Sequence, residues 1–314
     1  MTAPPATEAP SSTGRRRPAR KGRLTSRELQ GVLFASPTLL FVIFLFVIPL
    51  GLVVFMSANK WSLLGGRQAS NFPENFTQAL AHPMFWPAVS FTVKYTVIAT
   101  LLLIGLGLGL ALLVQESSRW KGFLRTTVLV PSALGLASAS LIFYALYSPQ
   151  VGPVPRWMKA LGVTQDVVSP LGTPDGALWA TVFLIVWRYA GFYMLLLLVG
   201  LQSISRDVYE AARIDGASTW AIFRRITLPL LRPSLALSIV MCVTGSLLAF
   251  DQFFILTKGG PDGSTMTIVQ LIYNVAFETK RDLGIAAALS VIVLVALVVI
   301  NIFQLRVLRG SDGK

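Results

Sequence analysis

The chain has 314 residues, of which 54% are hydrophobic and only 13% charged, and its mean hydropathy is +0.66. A soluble core of this length does not hold that much apolar surface, so composition excludes an ordinary soluble domain and points to an integral membrane protein. The formal net charge of +13 sits mostly on basic residues that flank apolar runs, which leaves no need for a nucleic-acid role.

Residues 1–30 are rich in Pro, Ala, Ser and Arg without apolar periodicity, and are expected to be a disordered, basic cytoplasmic tail. Arg15-Arg16-Arg17 ahead of a long apolar run has the outline of a signal peptide. The run is too long for an h-region and no clear small-x-small site follows, so an uncleaved first helix is expected. Apolar stretches fall at about 32–56, 89–114, 124–147, 177–201, 234–257 and 284–305. Each can cross about 30 Å of hydrocarbon at about 1.5 Å per residue. Lipid offers no partner to backbone N–H and C=O groups, so these stretches read as six helices in an all-α integral membrane protein. The transmembrane domain covers residues 31–309, with a short tail at 310–314. Assigning both termini and the even-numbered loops to the cytoplasm places 18 of the 27 Lys and Arg there and seven outside. That asymmetry satisfies the positive-inside rule.

Between the first two spans, aromatic residues around Phe72, Phe76, Phe85 and Trp86 suit an interfacial belt. His82, the sole histidine, has no cysteine or carboxylate company there, which argues against a metal or acid–base centre. Gly105, Gly107 and Gly109 lie in mid-span between leucines, with no strand before them, and read as close helix packing rather than nucleotide binding. Two charges stand inside spans for a reason, because Arg at a helix centre costs about 2.5–3.5 kcal/mol to insert. Arg188 is near the middle of the fourth span and Asp251 in the outward third of the fifth, so a pairing across a polar cavity, or contact with solute, is expected. Lys94 is close enough to its span's end to snorkel. Cys242, the only cysteine, can form no intrachain disulfide. In the last outer loop Ile268, Leu271, Ile272, Val275 and Ala276 form a helical stripe, which suits either a surface helix that meets a partner or packing against the bundle.

Residues 202–232 break the apolar pattern with an amphipathic cytoplasmic loop. Asp207 near a helix start can cap free N–H groups, Gly216 can end that helix in the left-handed conformation, and Ser218 can cap a second helix over 219–226 that stops at Pro229. Glu210-Ala211-Ala212, then Gly216 and Ile226-x-Leu228-Pro229, resemble the coupling loop of permease subunits in binding-protein-dependent ABC importers. The resemblance implies two short helices that dock on a separate ATPase, with Glu210, Ala211, Ala212, Asp215, Gly216, Ile226, Leu228 and Pro229 as the coupling residues.

The likeness extends along nearly the whole chain after residue 30. Asn71-Phe72-Pro73-Glu74-Asn75-Phe76 and Phe85-Trp86-Pro87-Ala88 resemble the stretch before the second helix of sugar-type permeases. Trp187-Arg188-Tyr189-Ala190-Gly191-Phe192, Phe250-Asp251 and Thr257-Lys258-Gly259-Gly260-Pro261 look like segments that bound the cavity of carbohydrate-uptake permeases. Counted back from that turn, the sugar-contacting face of the maltose-type permease falls on Cys242, Gly245, Ser246 and Ala249. The larger polar and aromatic side chains of that family site are absent, which moves the polar burden to Arg188, Asp251 and Gln252, beside Tyr189 and Phe192. No G-x-x-x-x-G-K-[ST] occurs, so ATP and Mg are expected on a partner ATPase and no cofactor on this chain. The implied partners are a second, non-identical permease, two ATPase subunits and an extracytoplasmic binding protein, all at a bacterial plasma membrane. The expected cargo is a sugar or polyol, with glycerol phosphate as the alternative. A secondary transporter would need midplane carboxylates, and only Asp251 is on offer; a non-transporting scaffold would need no docking loop.

Overall fold

A computed structural model of the chain describes residues 26–116 and 118–309. The chain divides into two units, residues 1–51 and 52–314. In the first, helix Ser26–Val42 runs into a π turn at Ile43–Val47 and then into the start of helix Ile48–Ser57, whose residues from Leu52 on belong to the second. Residues 26–30, expected in the disordered tail, are therefore helical; residues 1–25 and 310–314 lie outside the described residues. The π turn has a local cause. Pro49 cannot donate to the carbonyl four residues back and its ring crowds that oxygen, and one extra residue in the preceding turn relieves the clash without ending the helix.

Within residues 52–314, unbroken apolar helices of membrane-crossing length are Phe85–Val114, Pro174–Gln202 and Leu283–Arg306. Arg232–Leu256 also reaches that length, in two helical pieces, Arg232–Leu247 and Asp251–Leu256. With Leu33–Ser57 these account for five of the six expected spans. The sixth, the expected third span, is not one straight helix. Arg119–Ala133 and Leu136–Leu146 meet at a bend of 94°. Pro131 shifts the end of the first limb into a 3₁₀ turn, Leu134 and Gly135 are extended, and the helix restarts after Gly135. A continuous apolar run conceals such a break, because hydropathy does not register backbone direction.

The fourth span starts by the usual rules: Thr173 accepts from the Gly176 N–H at 3.2 Å, Pro174 fills a first-turn position and Asp175 adds a carboxylate there. The second span ends at Val114, whose free carbonyl is taken by the Arg125 guanidinium. The second and fourth spans form the central pair, and the fifth packs on both. Gly107 sits at their crossing, where a Cβ would press on the Tyr193 Cβ and the Met194 backbone; a Cβ on Gly105 or Gly109 would meet nothing among the described residues.

The segment before the second span contains the feature that hydropathy missed, an antiparallel hairpin of β1, Asn59–Ser62, and β2, Gly66–Ser70, with a bulge between Lys60 and Trp61. Buried Asn75, in helix Glu74–Leu80, ties it down by donating to the Ser57 and Asn59 carbonyls at 3.0 and 2.9 Å and accepting from Asn71 at 2.7 Å. The loop between the fifth and last spans forms helix Ile268–Tyr273, continued by a π turn at Asn274–Glu278. Its apolar stripe faces inward, against Phe85, Ala88, Ile285 and Leu289, so packing against the bundle is what the stripe does. Lys94 meets Asp175 at 3.8 Å in an exposed pair.

Candidate functional site

Two sites can be built from the residues upward. The first is the helical pair at 205–230. Ser205, extended, accepts from the Asp207 N–H at 3.3 Å and opens helix Arg206–Ile214. The cap is therefore Ser205 and not Asp207, which stands in the first turn, accepts from the Ser205 hydroxyl and favours the helix dipole. At the other end the Gly216 N–H bonds the Arg213 carbonyl and the Ala217 N–H the Ala212 carbonyl, both at 3.0 Å, with Gly216 at φ 75°. This is a Schellman ending, open to glycine because no Cβ opposes the left-handed backbone.

Ser218 then accepts from Ala221 N–H at 3.3 Å and opens the second helix, Thr219–Ile222. Pro229 does not stop it. A π turn at Phe223–Thr227 absorbs the proline, as another does before Pro49, and the chain continues through Leu228–Leu230 into Arg232–Leu247. The Thr227 hydroxyl reaches the Tyr209 hydroxyl at 3.3 Å and holds the two helices together. Of the coupling residues named from sequence, Glu210, Ala211, Asp215 and Gly216 face outward, Ala212 is buried, and Ile226, Leu228 and Pro229 are half-buried packing. Sequence reasoning passed over the most conspicuous group. Ile214 is 86% and Trp220 67% exposed, Trp220 stacked on Phe223 with ring centroids 5.5 Å apart. Two large apolar residues in a segment outside the apolar spans were the available signal.

The second site is a cavity of about 330 Å³ walled by the second, fourth and fifth spans and by Leu136 of the third. Cys242, Gly245, Ser246 and Ala249, spaced as one helix face, line it, as do Tyr189, Phe192, Asp251 and Gln252. The fifth span breaks at Phe250 and resumes at Asp251, which places the carboxylate in the first turn of Asp251–Leu256. Gln252, 3% exposed, donates to the Tyr95 hydroxyl at 3.3 Å while its amide oxygen has no partner among the described residues. Tyr95 and Tyr193 also line the cavity and were not anticipated; a tyrosine inside an apolar run was the only clue.

Arg188 is the correction. It does not line the cavity, and no ion pair joins it to Asp251 among the described residues. Its Nε donates to the Leu134 carbonyl at 2.9 Å and its guanidinium lies 4.2 Å from the centre of the Tyr189 ring. The backbone break in the third span, invisible in the sequence, supplies the partner that Asp251 was expected to provide. His82 accepts from the Met84 N–H at 3.2 Å, and burial together with Lys280 holds its pKa below the usual 6.5.

The geometry matches known proteins over most of the chain. A trehalose/maltose transport system permease protein, MalF of Thermococcus litoralis, is 34% identical over 295 residues, 91% of this chain and 96% of that one. A multiple sugar-binding transport system permease protein, MsmF of Streptococcus mutans, is 32% identical over 88% of this chain and 93% of its own. Among solved structures, a chain of a bacterial ABC transporter involved in the import of alginate superposes with a TM-score of 0.78 at 22% identity, covering 90% of this chain and 96% of that one. Residues 102–311 match the family described as binding-protein-dependent transport system inner membrane component, and the chain belongs to it as a multi-pass ABC transporter permease subunit of the cell membrane.

Proposed function

We propose that this chain is one of two non-identical membrane subunits of an importer for a neutral, hydroxyl-rich solute, a sugar or polyol. Two partner ATPases hold the ATP and Mg, this chain carries no cofactor, and a binding protein delivers solute from outside. The relatives' names, for trehalose/maltose and for multiple sugars, support the cargo class. So does the cavity lining, which contains tyrosine, serine and glutamine groups and one carboxylate, Asp251, with no Lys or Arg. A carboxylate opposes a phosphate, so glycerol phosphate fits this wall less well than a sugar. Exposed Met241, Leu248 and Asp251 leave the cavity open on one side, as a second permease facing it would require.

The observation that carries the coupling is the exposed Ile214 and Trp220 tip beside Glu210, Asp215 and Gly216. An apolar tip outside the spans is suited to a cleft on an ATPase. Movement of that tip as a lever would switch the cavity between cytosol and exterior. Both termini are then cytoplasmic. In a Cys242→Ser background, Ile214→Cys should cross-link to the ATPase in the assembled transporter. Ser218→Cys should resist a membrane-impermeant thiol reagent in intact cells, whereas exposed Leu161→Cys should react. Labelling of Ser218→Cys from outside overturns the orientation, and absence of the cross-link overturns the docking role.

A further inference from the structure

The break between the two limbs of the third span leaves backbone groups outside the helical ladder within an apolar segment. Leu134 and Gly135 are extended, so the Leu134 carbonyl has no helical N–H to accept from. At membrane depth such a group is satisfied by a protein partner or by water in a cavity. One fourth-span residue does this from both of its ends: Arg188 Nε donates to the Leu134 carbonyl at 2.9 Å, and the Arg188 carbonyl accepts from the Ser132 hydroxyl at 2.7 Å. One turn further on, the fourth span presses against the first limb so closely that a Cβ on Gly191 would run into the Val128 carbonyl. Leu136, the first residue of the second limb, is a cavity wall, and so is Tyr189, on whose ring the guanidinium lies.

We propose that Arg188 is a positioning residue for solute passage. Its reciprocal clasp with Ser132 and Leu134 holds the third span at its bend and thereby sets where the Leu136 and Tyr189 walls stand. The cost of a guanidinium in the membrane and the cost of a broken helix there offset each other in one contact. This goes beyond the permease reading and does not depend on which solute is carried.

The test is a distance across the bend in the assembled full-length transporter in lipid nanodiscs. Spin labels go on the two limbs at exposed Trp120 and Tyr144, each changed to Cys in a Cys242→Ser background. With about 1.5 Å rise per residue, opening the 94° bend lengthens their separation by up to roughly 10 Å. Arg188→Gln should lengthen and broaden the distribution in the absence of nucleotide and solute, and Arg188→Lys, which keeps a charged donor on the same helix, should recover part of the short distance. An unchanged distribution in Arg188→Gln overturns the proposal even if ATPase activity falls, and so does a Lys variant indistinguishable from Gln. If Arg188→Gln does not assemble, Ser132→Ala removes the other half of the clasp without orphaning a charge, and an unchanged distribution there overturns it.

Discussion

Two of the interruptions in the helical chain solve the same problem by opposite means. At 214–218 one helix ends and another begins, and loose backbone groups at both ends are settled within a few residues by Gly216, Ala217 and Ser218. At 133–136 the chain turns through 94°, and the loose carbonyl is settled by a side chain 54 residues away in sequence. Outside the apolar spans a turn can be punctuated locally, because water completes whatever the side chains leave. Within the spans water reaches only a cavity, and the break at 133–136 is tied to a neighbouring helix. The first kind of turn can be reshaped alone; the second moves only with its partner.

Four measurements sharpen or break this contrast. The largest effect belongs to the tied break: Arg188→Gln leaves the Leu134 carbonyl unpaired and should lower thermal stability in nanodiscs by about 1–3 kcal/mol. Asp251→Asn should change stability little, and the double mutant should be additive within about 0.5 kcal/mol, since no ion pair links the two. A coupling energy well above that would restore the pairing expected from sequence. Next, Gly216→Val places a β-branched residue at φ 75° and should cost about 1–3 kcal/mol locally. The chain should still insert, while solute-stimulated ATP hydrolysis is lost; wild-type stimulation would separate the turn from coupling.

Ser218→Ala should loosen the second coupling helix by about 1 kcal/mol, read as faster amide exchange at Ala221 and Ile222, with no change in the spans. The smallest effect is a pH slope. Because the folded His82 pKa lies below 6.5, the unfolded chain binds the extra proton first as pH falls. Its contribution is full above pH 6.5 and is lost on acidification from there down through the folded pKa. Melting temperature measured between pH 7.5 and 5 should show this slope, reduced in His82→Gln.

What was legible follows the same division. Glycine at a left-handed turn, serine before a helix and apolar runs long enough for a bilayer are local signals, and they located the turn at Gly216 and the spans. Cys242, Gly245, Ser246 and Ala249 were readable as one face because helical spacing is local too. The bend at Leu134 was hidden because Pro131 and Gly135 lie in an unbroken apolar run, and the partner of Arg188 could not be named without it. The hairpin at 59–70 was missed for a related reason: it is tied down by Asn75, which arrives from the following helix. Pro229 misled in the other direction, since a proline usually ends a helix and here the preceding π turn accommodates it.

That π turn has a bearing on the cavity some fifteen residues downstream. An α-helix advances about 100° per residue, so the extra residue held at Phe223–Thr227 fixes the angular phase of everything that follows it relative to the coupling helices. Deleting one residue there would let Pro229 break the helix or turn the Cys242–Ala249 face by about a quarter of a circle, toward the bundle or the lipid. The proline and its widened turn therefore act as an indexing mark, which keeps the exposed Ile214 and Trp220 tip and the cavity-facing side of the fifth span in register.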